Sequence, residues 1–554
     1  GKTQFFVTDA SWESKAGDLP ANWSSADHSP AGWKPPQLIA RFPGGPWGAT
    51  VPYTPLGPVL RLSDANFTFA DSAELGEIKQ LSANFTPSEI PGHPITLVVE
   101  LADLGGRGVS SWTQPLDPSQ WKVGNSVKIG PIPITLPRYA TAGKYQIRMS
   151  VPYATLSPSA DFKPIADIGK SPSLGNALVL PLSLHWKGKV KTPVAKIKYL
   201  HDGQVPALEI DGQTHTVMHM MGMNANPSIM RLTRQNGMDL IWLNIAEGFG
   251  WKKGGPYDFS ELHRLCADLL NQYPQAYLVL NVPLDSVYNP GWKDWNTQNP
   301  DELVKDEKGN TRIGGYHGAN IQAPSYSSRV WMDDATESWR ALIRQIRSST
   351  IGERVIGYVP ISGISWEWFY WGAQSREFVD YSRPATQQFQ DWVRAKYGDL
   401  AKTNAAWKRK YATFEAIQIP TKEERLVSDQ LTFLDPQKSQ RLIDFREFLS
   451  AVVSADVLEF CRVVKEESKG ESLVGTYYGY NMQVISAYLA QHTGHMALHK
   501  VLQSPDIDFL MSPSRYQDRG IGGGSGFMMT VDSIKLHGKY YIDQADIRAV
   551  NATG

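Results

Sequence analysis

Cysteine is nearly absent from this chain, which has two in 554 residues, Cys266 and Cys461. Both lie within stretches of helical pattern, and they are far apart in sequence. Two separated thiols exclude a disulfide-stabilised scaffold and a cysteine-ligated metal centre. We therefore predict that both side chains belong to hydrophobic cores.

An excess of either charge is absent too. Lys plus Arg and Asp plus Glu both number 55, and the resulting formal net charge of zero argues against nucleic acid and acidic membrane surfaces as partners. No apolar run approaches the roughly 20 residues that a membrane-spanning helix needs, and the N-terminal segment lacks the apolar core of a signal peptide. We expect a soluble protein whose export signal has been removed, either periplasmic or secreted. A cytoplasmic location stays open.

Aromatic residues, in contrast, are abundant, with 18 Trp and 23 Tyr, many of them beside the predicted ends of strands. Such rings pack against the C–H face of a sugar while neighbouring polar groups bind its hydroxyls. The composition therefore favours an oligosaccharide as the partner. Ordinary use of the rings in cores and interfaces is the alternative, and it explains most of them.

Length and pattern predict three regions, because 554 residues are too many for one core. Residues 1–60 are rich in Pro, Gly and Trp, which predicts an extended segment. Residues 61–205 contain short alternating apolar runs separated by turn residues, a pattern typical of an antiparallel β-sandwich. In residues 206–554 strands alternate with helices, so we predict a (β/α)₈ barrel as the catalytic domain.

Buried apolar runs define seven strands of this barrel. They are residues 214–221, 238–244, 276–282, 354–361, 472–478, 507–511 and 539–542. An eighth strand does not fit, because the chain stops at Gly554, a few residues after the seventh. We therefore expect the chain to be truncated or to lack the C-terminal portion that closes the barrel.

Two strand ends carry the residues that suit catalysis. Glu367 follows the fourth strand and stands between Trp366 and Trp368, so its carboxyl is poorly solvated, which disfavours the charged form and favours a general acid. Asp543 and Gln544 follow the seventh strand, and a (β/α)₈ barrel places its catalytic groups at such carboxyl ends. The alternatives are a helix cap for Glu367 and a solvated loop after the seventh strand.

Other strand ends carry side chains that suit sugar binding. Each is an amide, carboxyl, aromatic or guanidinium group close after a predicted strand, and for each a purely structural role is the alternative. The set comprises Trp366, Trp368, Asn244, Glu247, Trp251, Asn281, Asp285, Trp292, Tyr478, Tyr480, Asn481, Arg515, Tyr516, Arg519 and Asp546.

Two members of this set, Arg515 and Arg519, bear on the charge of the substrate. Guanidinium groups bind anionic oxygens bidentately, so these arginines predict a sulfate or carboxylate on the sugar. Ion pairing with Asp508 or Asp518 is the alternative, since both carboxylates are near in sequence.

We predict no metal and no cofactor. His492, His495 and His499 do lie at helical spacing, which is a reason to test for zinc. No acidic or cysteine partner accompanies them, however, and the sequence contains no HExxH motif.

Four stretches together resemble a known family, namely ISWEWFYWG, FVDYSRPATQQFQDWVRAKYG, TGHMALHKVLQSPDIDFLMSPSRYQDRGIGGGSGF and SIKLHGKYYIDQADIR. From about residue 214 onward the chain is similar to the bacterial β-galactosidase-like proteins related to glycoside hydrolase family 42. The resemblance implies a retaining (β/α)₈ hydrolase. It also implies that Glu367 is the acid/base and that Gln544 occupies the place of the nucleophile.

Two positions depart from the family pattern. Trp366 stands where relatives have Asn, and Gln544 stands where they have the nucleophilic Glu. A neutral amide has the shape of a carboxylate without its charge or nucleophilicity, so the chain as written should be nearly inert in double displacement. Asp543 should not substitute, because strand alternation directs it to the opposite face. An engineered Glu→Gln substitution and a natural pseudoenzyme both explain Gln544.

Two functions therefore stay open. One is a retaining β-glycosidase, a β-galactosidase acting on plant or algal galactan oligosaccharides, neutral or sulfated, and inactivated here at Gln544. The other is a carbohydrate-binding pseudoenzyme on a degenerate barrel. Both take an oligosaccharide, and a homo-oligomer is compatible with either.

Overall fold

The computed structural model describes residues 60–544, apart from residues 93, 153, 163–176, 201–204, 216–219, 223–226, 246–253, 315–319, 374–376, 428–432, 485–491, 517, 519–521 and 525. The described residues form two compact units. The first comprises residues 60–71, 79–134 and 144–182, and the second comprises residues 72–78, 135–143 and 183–544. The predicted extended segment, residues 1–60, lies outside the described residues except for Leu60.

Two sheets occupy the N-terminal part of the described chain. Several of their strands alternate buried and exposed positions, as expected where one face of a sheet is buried. In chain order the strands are β1 (Leu60–Thr68), β2 (Ser72–Glu74), β3 (Ile78–Pro87), β4 (Ile95–Asp103), β5 (Gly108–Leu116), β6 (Val127–Thr135), β7 (Gly143–Ser150), β8 (Ala154–Pro158) and β9 (Leu178–His185). One sheet has the order β6-β3-β1-β8, and the other has the order β2-β9-β7-β4-β5.

Pairing in these two sheets is mixed. β3 is antiparallel to β1, and β4 is antiparallel to both β5 and β7, as predicted. The pairs β1–β8 and β2–β9 are parallel, so the prediction of a purely antiparallel arrangement is wrong for them. Alternation of apolar residues indicates which face is buried, but it carries no information on the direction of the neighbouring strand.

A three-stranded antiparallel sheet opens the long C-terminal part of the second unit. Its strands are β10 (Ala195–Leu200), β11 (Val205–Ile210) and β12 (Gln213–His215). Thr214 pairs with Glu209 across β11 and β12, so its assignment to the first barrel strand is wrong. Asp211 and Gly212 both have positive φ and form the two-residue turn of a hairpin, a signal that the sequence analysis missed.

A seven-stranded parallel sheet forms the centre of the second unit. Its strands are β13 (Met220–Gly222), β14 (Leu240–Asn244), β15 (Tyr277–Pro283), β18 (Val355–Ile361), β19 (Leu473–Thr476), β20 (Phe509–Pro513) and β21 (Tyr540–Gln544), with a short antiparallel pair, β16 (Ile313–Gly314) and β17 (Asn320–Ile321), between β15 and β18. The seven neighbour one another in chain order, and every pair is parallel. The seven predicted strands are confirmed, the first of them only in its last part.

Helices connect these strands. They are α1 (Pro227–Gln235), α2 (Ser260–Gln272), α3 (Lys293–Gln298), α4 (Arg329–Ser348), α5 (Arg383–Tyr397), α6 (Leu400–Trp407), α7 (Lys422–Val427), α8 (Pro436–Ser468), α9 (Asn481–Val484), α10 (Leu498–Gln503) and α11 (Val531–Leu536). The Ser328 hydroxyl accepts the Trp331 N–H at the start of α4, and Ser382 caps α5 in the same way. The Trp339 indole on α4 donates to the Phe460 carbonyl oxygen on α8 at 3.1 Å, which joins the two longest described helices. In the part of the chain that the structure describes, no helix has the length and apolarity to cross a bilayer.

The parallel sheet curls around a packed interior, and we call its concave side the inner face. The Trp242 ring on β14 and the Phe509 ring on β20 lie 5.3 Å apart between centroids, although three strands separate β14 from β20. Gly475 on β19 leaves room for this packing, because a side chain there would collide with the Phe509 ring. The residues that line the interior are apolar: Ile197, Leu208, Leu240, Trp242, Val279, Ile356, Leu473, Phe509, Tyr540 and Ile542.

Candidate active site

Strand alternation brings polar side chains to the carboxyl end of the inner face. Asn244 and Gln544 each stand two residues after a residue that lines the apolar interior, Trp242 and Ile542 respectively, and Asn281 has the same position on β15. Because successive side chains alternate between faces, the three polar residues lie above the apolar layer. Asn281 Nδ2 donates to Asn244 Oδ1 at 2.7 Å, and the two residues are in register on neighbouring strands. The structure thus brings these two predicted residues together.

The amide pair offers one donor and one acceptor to a ligand. Among the described residues, the buried atoms Asn244 Nδ2 and Asn281 Oδ1 have no hydrogen-bond partner. A buried polar group without a partner costs about 1–3 kcal/mol, so binding a group that pairs with it is favourable. A hydroxyl both donates and accepts, and it therefore has the chemistry to satisfy the two atoms together.

Tyr477, directly after β19, contacts one of the two residues that were predicted to carry the chemistry. Its hydroxyl donates to Gln544 Oε1 at 3.4 Å. Burial, and after it the nearby Glu367 carboxylate, raise the pKa of the Tyr477 phenol, so the phenol stays neutral and acts as a donor. Tyr477 was not among the predicted site residues, although strand alternation from Leu473 places it on the inner face.

Glu367 lies after β18 in a loop with an unusual backbone. Ser365, Trp366 and Trp368 have φ of 58°, 70° and 58°, in the left-handed region that side chains rarely allow. Each such residue costs roughly 1–3 kcal/mol and persists only where its surroundings hold it. Gly363 has φ of 77°, and a side chain there would collide with the Tyr326 hydroxyl. Backbone strain concentrated around one carboxyl is typical of a functional site.

Asp285 holds the start of this loop. Its buried Oδ2 accepts the Ser362 hydroxyl at 2.7 Å and the Gly363 N–H at 3.2 Å, and its Oδ1 accepts the N–H groups of Val287 and Tyr288. Burial raises the pKa of Asp285, although the four hydrogen bonds oppose this shift. Asp285 was predicted to bind substrate, but its carboxylate is fully engaged with the protein and positions the loop of Glu367.

The aromatic residues beside Glu367 have different roles. Trp368 is fully buried, and its indole N–H donates to the Pro360 carbonyl oxygen and the Thr476 hydroxyl, both at 3.0 Å. Trp292 is also fully buried. Both were predicted to contact the sugar, but neither ring presents a surface to a ligand. Trp366 is partly exposed and packs edge to face on Tyr288, and its role as a sugar-stacking ring stays a prediction.

His495 connects the Glu367 loop to the segment after β19. Its Nδ1 accepts the N–H groups of Gly479 and Tyr480 at 3.2 and 3.4 Å, and its ring lies 4.4 Å from the Phe369 ring centroid. The Tyr480 hydroxyl in turn donates to Glu367 Oε1 at 3.1 Å. The helical spacing of His492, His495 and His499 was a reason to test for zinc. Among the described residues no group of three or more His, Cys, Asp or Glu side chains is arranged to hold a metal ion.

Three buried histidines predict sensitivity to acid. Burial lowers the pKa of His263 to about 4, of His492 to about 2 and of His495 to about 3. In the unfolded chain each imidazole binds a proton below its ordinary pKa of about 6.5, so stability is fully present above that pH and is lost as the pH falls towards the folded-state values. The loss is up to about 1.4 kcal/mol per pH unit for each histidine.

The test is denaturant unfolding followed by Trp fluorescence at pH 7 and pH 5. We expect a lower midpoint at pH 5 and a smaller decrease in the His263→Gln protein, because this substitution removes one of the buried imidazoles, on α2. The exposed His537→Gln substitution is the control and should leave the decrease unchanged. An identical decrease in the wild-type and His263→Gln proteins would contradict the assignment.

The remaining predicted residues are dispersed. Tyr478 is fully buried, and its hydroxyl bonds to the Gly494 carbonyl oxygen (3.0 Å) and the Ala497 N–H (3.3 Å), so its role is structural. Asn481 begins α9, and the Tyr516 side chain is exposed. Glu247, Trp251, Arg519 and Asp546 lie outside the described residues.

Arg515 and Asp543 occupy the ends of β20 and β21. The backbone N–H of Arg515 donates to the Gly526 carbonyl oxygen at 2.9 Å. Asp508, a predicted ion-pair partner for Arg515, instead pairs with Lys465 at 2.6 Å before the start of β20. Asp543 accepts the Ser514 hydroxyl at 2.8 Å and, by alternation, faces away from Gln544, as expected.

The carboxyl ends of the parallel strands thus carry one carboxyl, Glu367, and one side-chain amide, Gln544, with aromatic and amide neighbours. Below them lies the apolar interior of the sheet. Residues 370–496 match the model of the family described as β-galactosidase, glycoside hydrolase family 42. The match covers under a quarter of the chain and begins three residues after Glu367. The resemblance predicted from the sequence is thereby confirmed, and it supports a glycoside hydrolase. No curated protein sequence matches the chain.

Solved structures with a detectable likeness are also carbohydrate-active proteins. A calcium-binding mutant of Bacteroides uniformis β-glucuronidase 2 is 10% identical over 85% of this chain and 38% of its own, with a TM-score of 0.24. A Paenibacillus cycloisomaltooligosaccharide glucanotransferase in complex with cycloisomaltoheptaose is 8% identical over 87% of this chain and 53% of its own, with a TM-score of 0.30. The chain thus spans 38% of the first of these proteins and 53% of the second. At these TM-scores the likeness carries no argument for fold or function.

Proposed function

We propose that the second unit is the catalytic barrel of a retaining β-glycosidase, with Glu367 as the acid/base and Gln544 in the place of the nucleophile. The observation that carries this proposal is a pair of hydrogen bonds from one segment after β19: the Tyr477 hydroxyl donates to Gln544 Oε1 at 3.4 Å, and the Tyr480 hydroxyl donates to Glu367 Oε1 at 3.1 Å. Two phenols three residues apart, each bonded to one of the two side chains, support two catalytic groups that share one site. Glu367 follows the fourth strand of the parallel sheet and Gln544 ends the seventh. An eighth strand would close this sheet into a (β/α)₈ barrel.

The proposed reaction is a double displacement. With Glu at position 544, its carboxylate attacks the anomeric carbon while Glu367 protonates the leaving oxygen. Glu367 then removes a proton from the incoming water, which releases the sugar with its original configuration. This mechanism requires the two carboxyl groups to lie ~5–5.5 Å apart, which is the separation we predict for the Glu367 and Gln544 side chains.

We propose a β-galactoside within a galactan oligosaccharide as the substrate. The description of the matching family as β-galactosidase supports this class. The unpaired donor and acceptor of Asn244 and Asn281 suit a neutral hydroxyl at the floor of the site, and Trp366 offers a partly exposed ring for the C–H face of a sugar. A screen of the Gln544→Glu protein on galactan oligosaccharides, with the first-formed anomer followed by NMR, tests the proposal. An α-anomer as the first product from a β-galactoside would overturn it.

A second candidate is a carbohydrate-binding pseudoenzyme, and Gln544 itself favours it. An amide at the nucleophile's place cannot form the glycosyl-enzyme bond, but it keeps the volume and hydrogen-bonding oxygen of the carboxylate. In this case the chain with Gln544 binds galactan oligosaccharides, and the Gln544→Glu protein does not hydrolyse them.

Arg515 predicts a preference for sulfated galactan. Its side chain is partly exposed, close in sequence to the end of β20 and so beside the strand that carries Gln544. Hydrogen bonds to charged groups contribute roughly 1.5–3 kcal/mol, so Arg515→Ala in the Gln544→Glu protein should lower kcat/KM for sulfated oligosaccharides about tenfold or more. Hydrolysis of desulfated oligosaccharides should be unchanged, as should both activities in the control Arg329→Ala, which removes an exposed arginine on α4. Equal activity on both substrates, unaffected by Arg515→Ala and Arg519→Ala, would show that these arginines are structural.

A further inference from the structure

We infer that Tyr480 is a positioning residue for Glu367 and that His495 fixes Tyr480 in turn. The inference rests on the proposed role of Glu367 as the acid/base. Tyr480 was predicted to bind substrate, but its hydroxyl donates to the proposed catalytic carboxyl instead.

The Tyr480 hydroxyl donates to Glu367 Oε1 at 3.1 Å, and its side chain is 1% exposed. Its ring packs edge to face on Phe369, two residues after Glu367, with 5.4 Å between centroids. Burial, and after it the Glu367 carboxylate, raise the pKa of Tyr480, so the hydroxyl keeps its proton and remains a donor. Packing of the ring therefore holds the Tyr480 hydroxyl in contact with the Glu367 carboxyl.

His495 explains why Tyr480 cannot move away. Its Nδ1 accepts both the Gly479 and the Tyr480 N–H, so the remaining ring proton of the neutral imidazole is on Nε2. The Gly479 turn has φ of 94°, and a side chain there would collide with Leu498. The imidazole also packs on Phe369, with 4.4 Å between centroids, so one buried side chain contacts both the Tyr480 backbone and the Glu367 loop.

This arrangement selects which oxygen of Glu367 carries the acidic proton. Because Tyr480 donates to Oε1, that oxygen acts as an acceptor in both protonation states of the carboxyl. The proton given to the leaving oxygen is then carried by Oε2. The same hydrogen bond favours the charged carboxylate, so its removal makes Glu367 a weaker acid.

Tyr480→Phe in the Gln544→Glu protein isolates the hydroxyl, since the ring and its packing remain. For β-galactosides with a sugar or alkyl leaving group, which need a proton, we expect kcat to fall about tenfold or more. For an activated aryl leaving group, which leaves without a proton, we expect a change of less than about threefold in the glycosylation rate. The alkaline limb of the pH–rate profile should move to higher pH. Tyr358→Phe is the matched control, because Tyr358 is equally buried but packs on Trp339 of α4.

Substitutions of His495 test the second step. Asn can place an acceptor close to the position of Nδ1, whereas Leu leaves the two N–H groups buried without an acceptor. We therefore expect His495→Leu to reproduce the leaving-group dependence of Tyr480→Phe and His495→Asn to restore part of the activity.

Equal losses on both kinds of leaving group, an unmoved alkaline limb, or the same behaviour in Tyr358→Phe would show that Tyr480 is merely structural. A Gln544→Glu protein without activity on any β-glycoside would instead refute the role of Glu367, and the inference with it. The activity of the Gln544→Glu parent therefore separates the two failures.

Discussion

Replacing Gln544 with Glu is expected to raise the rate of β-galactoside hydrolysis by at least about 10³-fold, equivalent to a lowering of the activation free energy by roughly 4 kcal/mol. The reason is chemical, because an amide oxygen lacks the charge and nucleophilicity that the glycosyl-enzyme bond requires. Glu has an oxygen where Gln has its NH₂ group and is otherwise the same in shape. The new carboxylate can therefore keep the hydrogen bond that Gln544 Oε1 accepts from Tyr477. Initial rates on an aryl β-galactoside, measured for both proteins, give the ratio.

Two control substitutions test whether the increase in rate is specific to a Glu side chain at position 544. Gln544→Asp shortens the side chain by one methylene, which withdraws the carboxylate from the anomeric carbon, so it should restore little activity. Asp543→Asn in the Gln544→Glu protein should leave the rate unchanged, because Asp543 faces away and is bound by Ser514. Equal rates in the Gln544 and Gln544→Glu proteins would contradict the assignment of the nucleophile.

Removing the acid from the restored enzyme should produce the second large effect. Glu367→Gln in the Gln544→Glu protein is expected to lower kcat/KM for galactan oligosaccharides by about 10²–10⁴-fold, the usual contribution of general acid catalysis. An activated aryl β-galactoside should form the glycosyl-enzyme at a nearly unchanged rate, because its leaving group needs no proton. The intermediate should then accumulate, since water lacks its general base. Pre-steady-state kinetics with the aryl substrate should show a burst followed by slow turnover.

Azide offers a sharper readout for the same substitution. As an anion it attacks without a general base, so it should accelerate turnover in Glu367→Gln and produce a β-galactosyl azide. The matched control is Glu377→Gln, a carboxyl in the same loop region that accepts the Gly314 N–H at 2.6 Å, and it should change kcat by no more than about twofold. A similar loss on all leaving groups without rescue by azide would show that Glu367 serves the fold rather than the reaction.

The parallel sheet could be predicted from the sequence because its signals are local. Runs such as 240–243 and 355–361 are apolar and buried throughout, as expected for strands covered on both faces, and each is followed by a helical pattern. The Asp211-Gly212 turn was also a local signal, but it was not read as a hairpin, and Thr214 on the strand that follows it was assigned to the first barrel strand. Strand direction in the N-terminal sheets could not be predicted, since it depends on pairing between distant segments.

The candidate site shows the same difference between features with a local sequence signal and features that depend on distant segments. Glu367 and Gln544 were selected because each comes close after a predicted strand and lies in a stretch that resembles the family, whereas Asp285 and His495 act by contacts with segments that are distant in sequence. Aromatic residues were the least predictable, because Trp366 and Trp368 are two positions apart and both have positive φ, yet Trp366 is partly exposed and Trp368 is fully buried. The exposure of a ring depends on the tertiary structure and cannot be predicted from the residue type.

The central claim is that residue 544 occupies the place of the nucleophile, and covalent trapping tests it most directly. The Gln544→Glu protein is incubated with a 2-deoxy-2-fluoro-β-galactoside bearing an activated leaving group, digested and analysed by mass spectrometry. The fluorine slows the second displacement, so the glycosyl-enzyme accumulates. We predict one 2-deoxy-2-fluorogalactosyl group attached to residue 544, and no label in the Gln544 protein. A label on another carboxylate, or equal labelling of both proteins, would contradict the account.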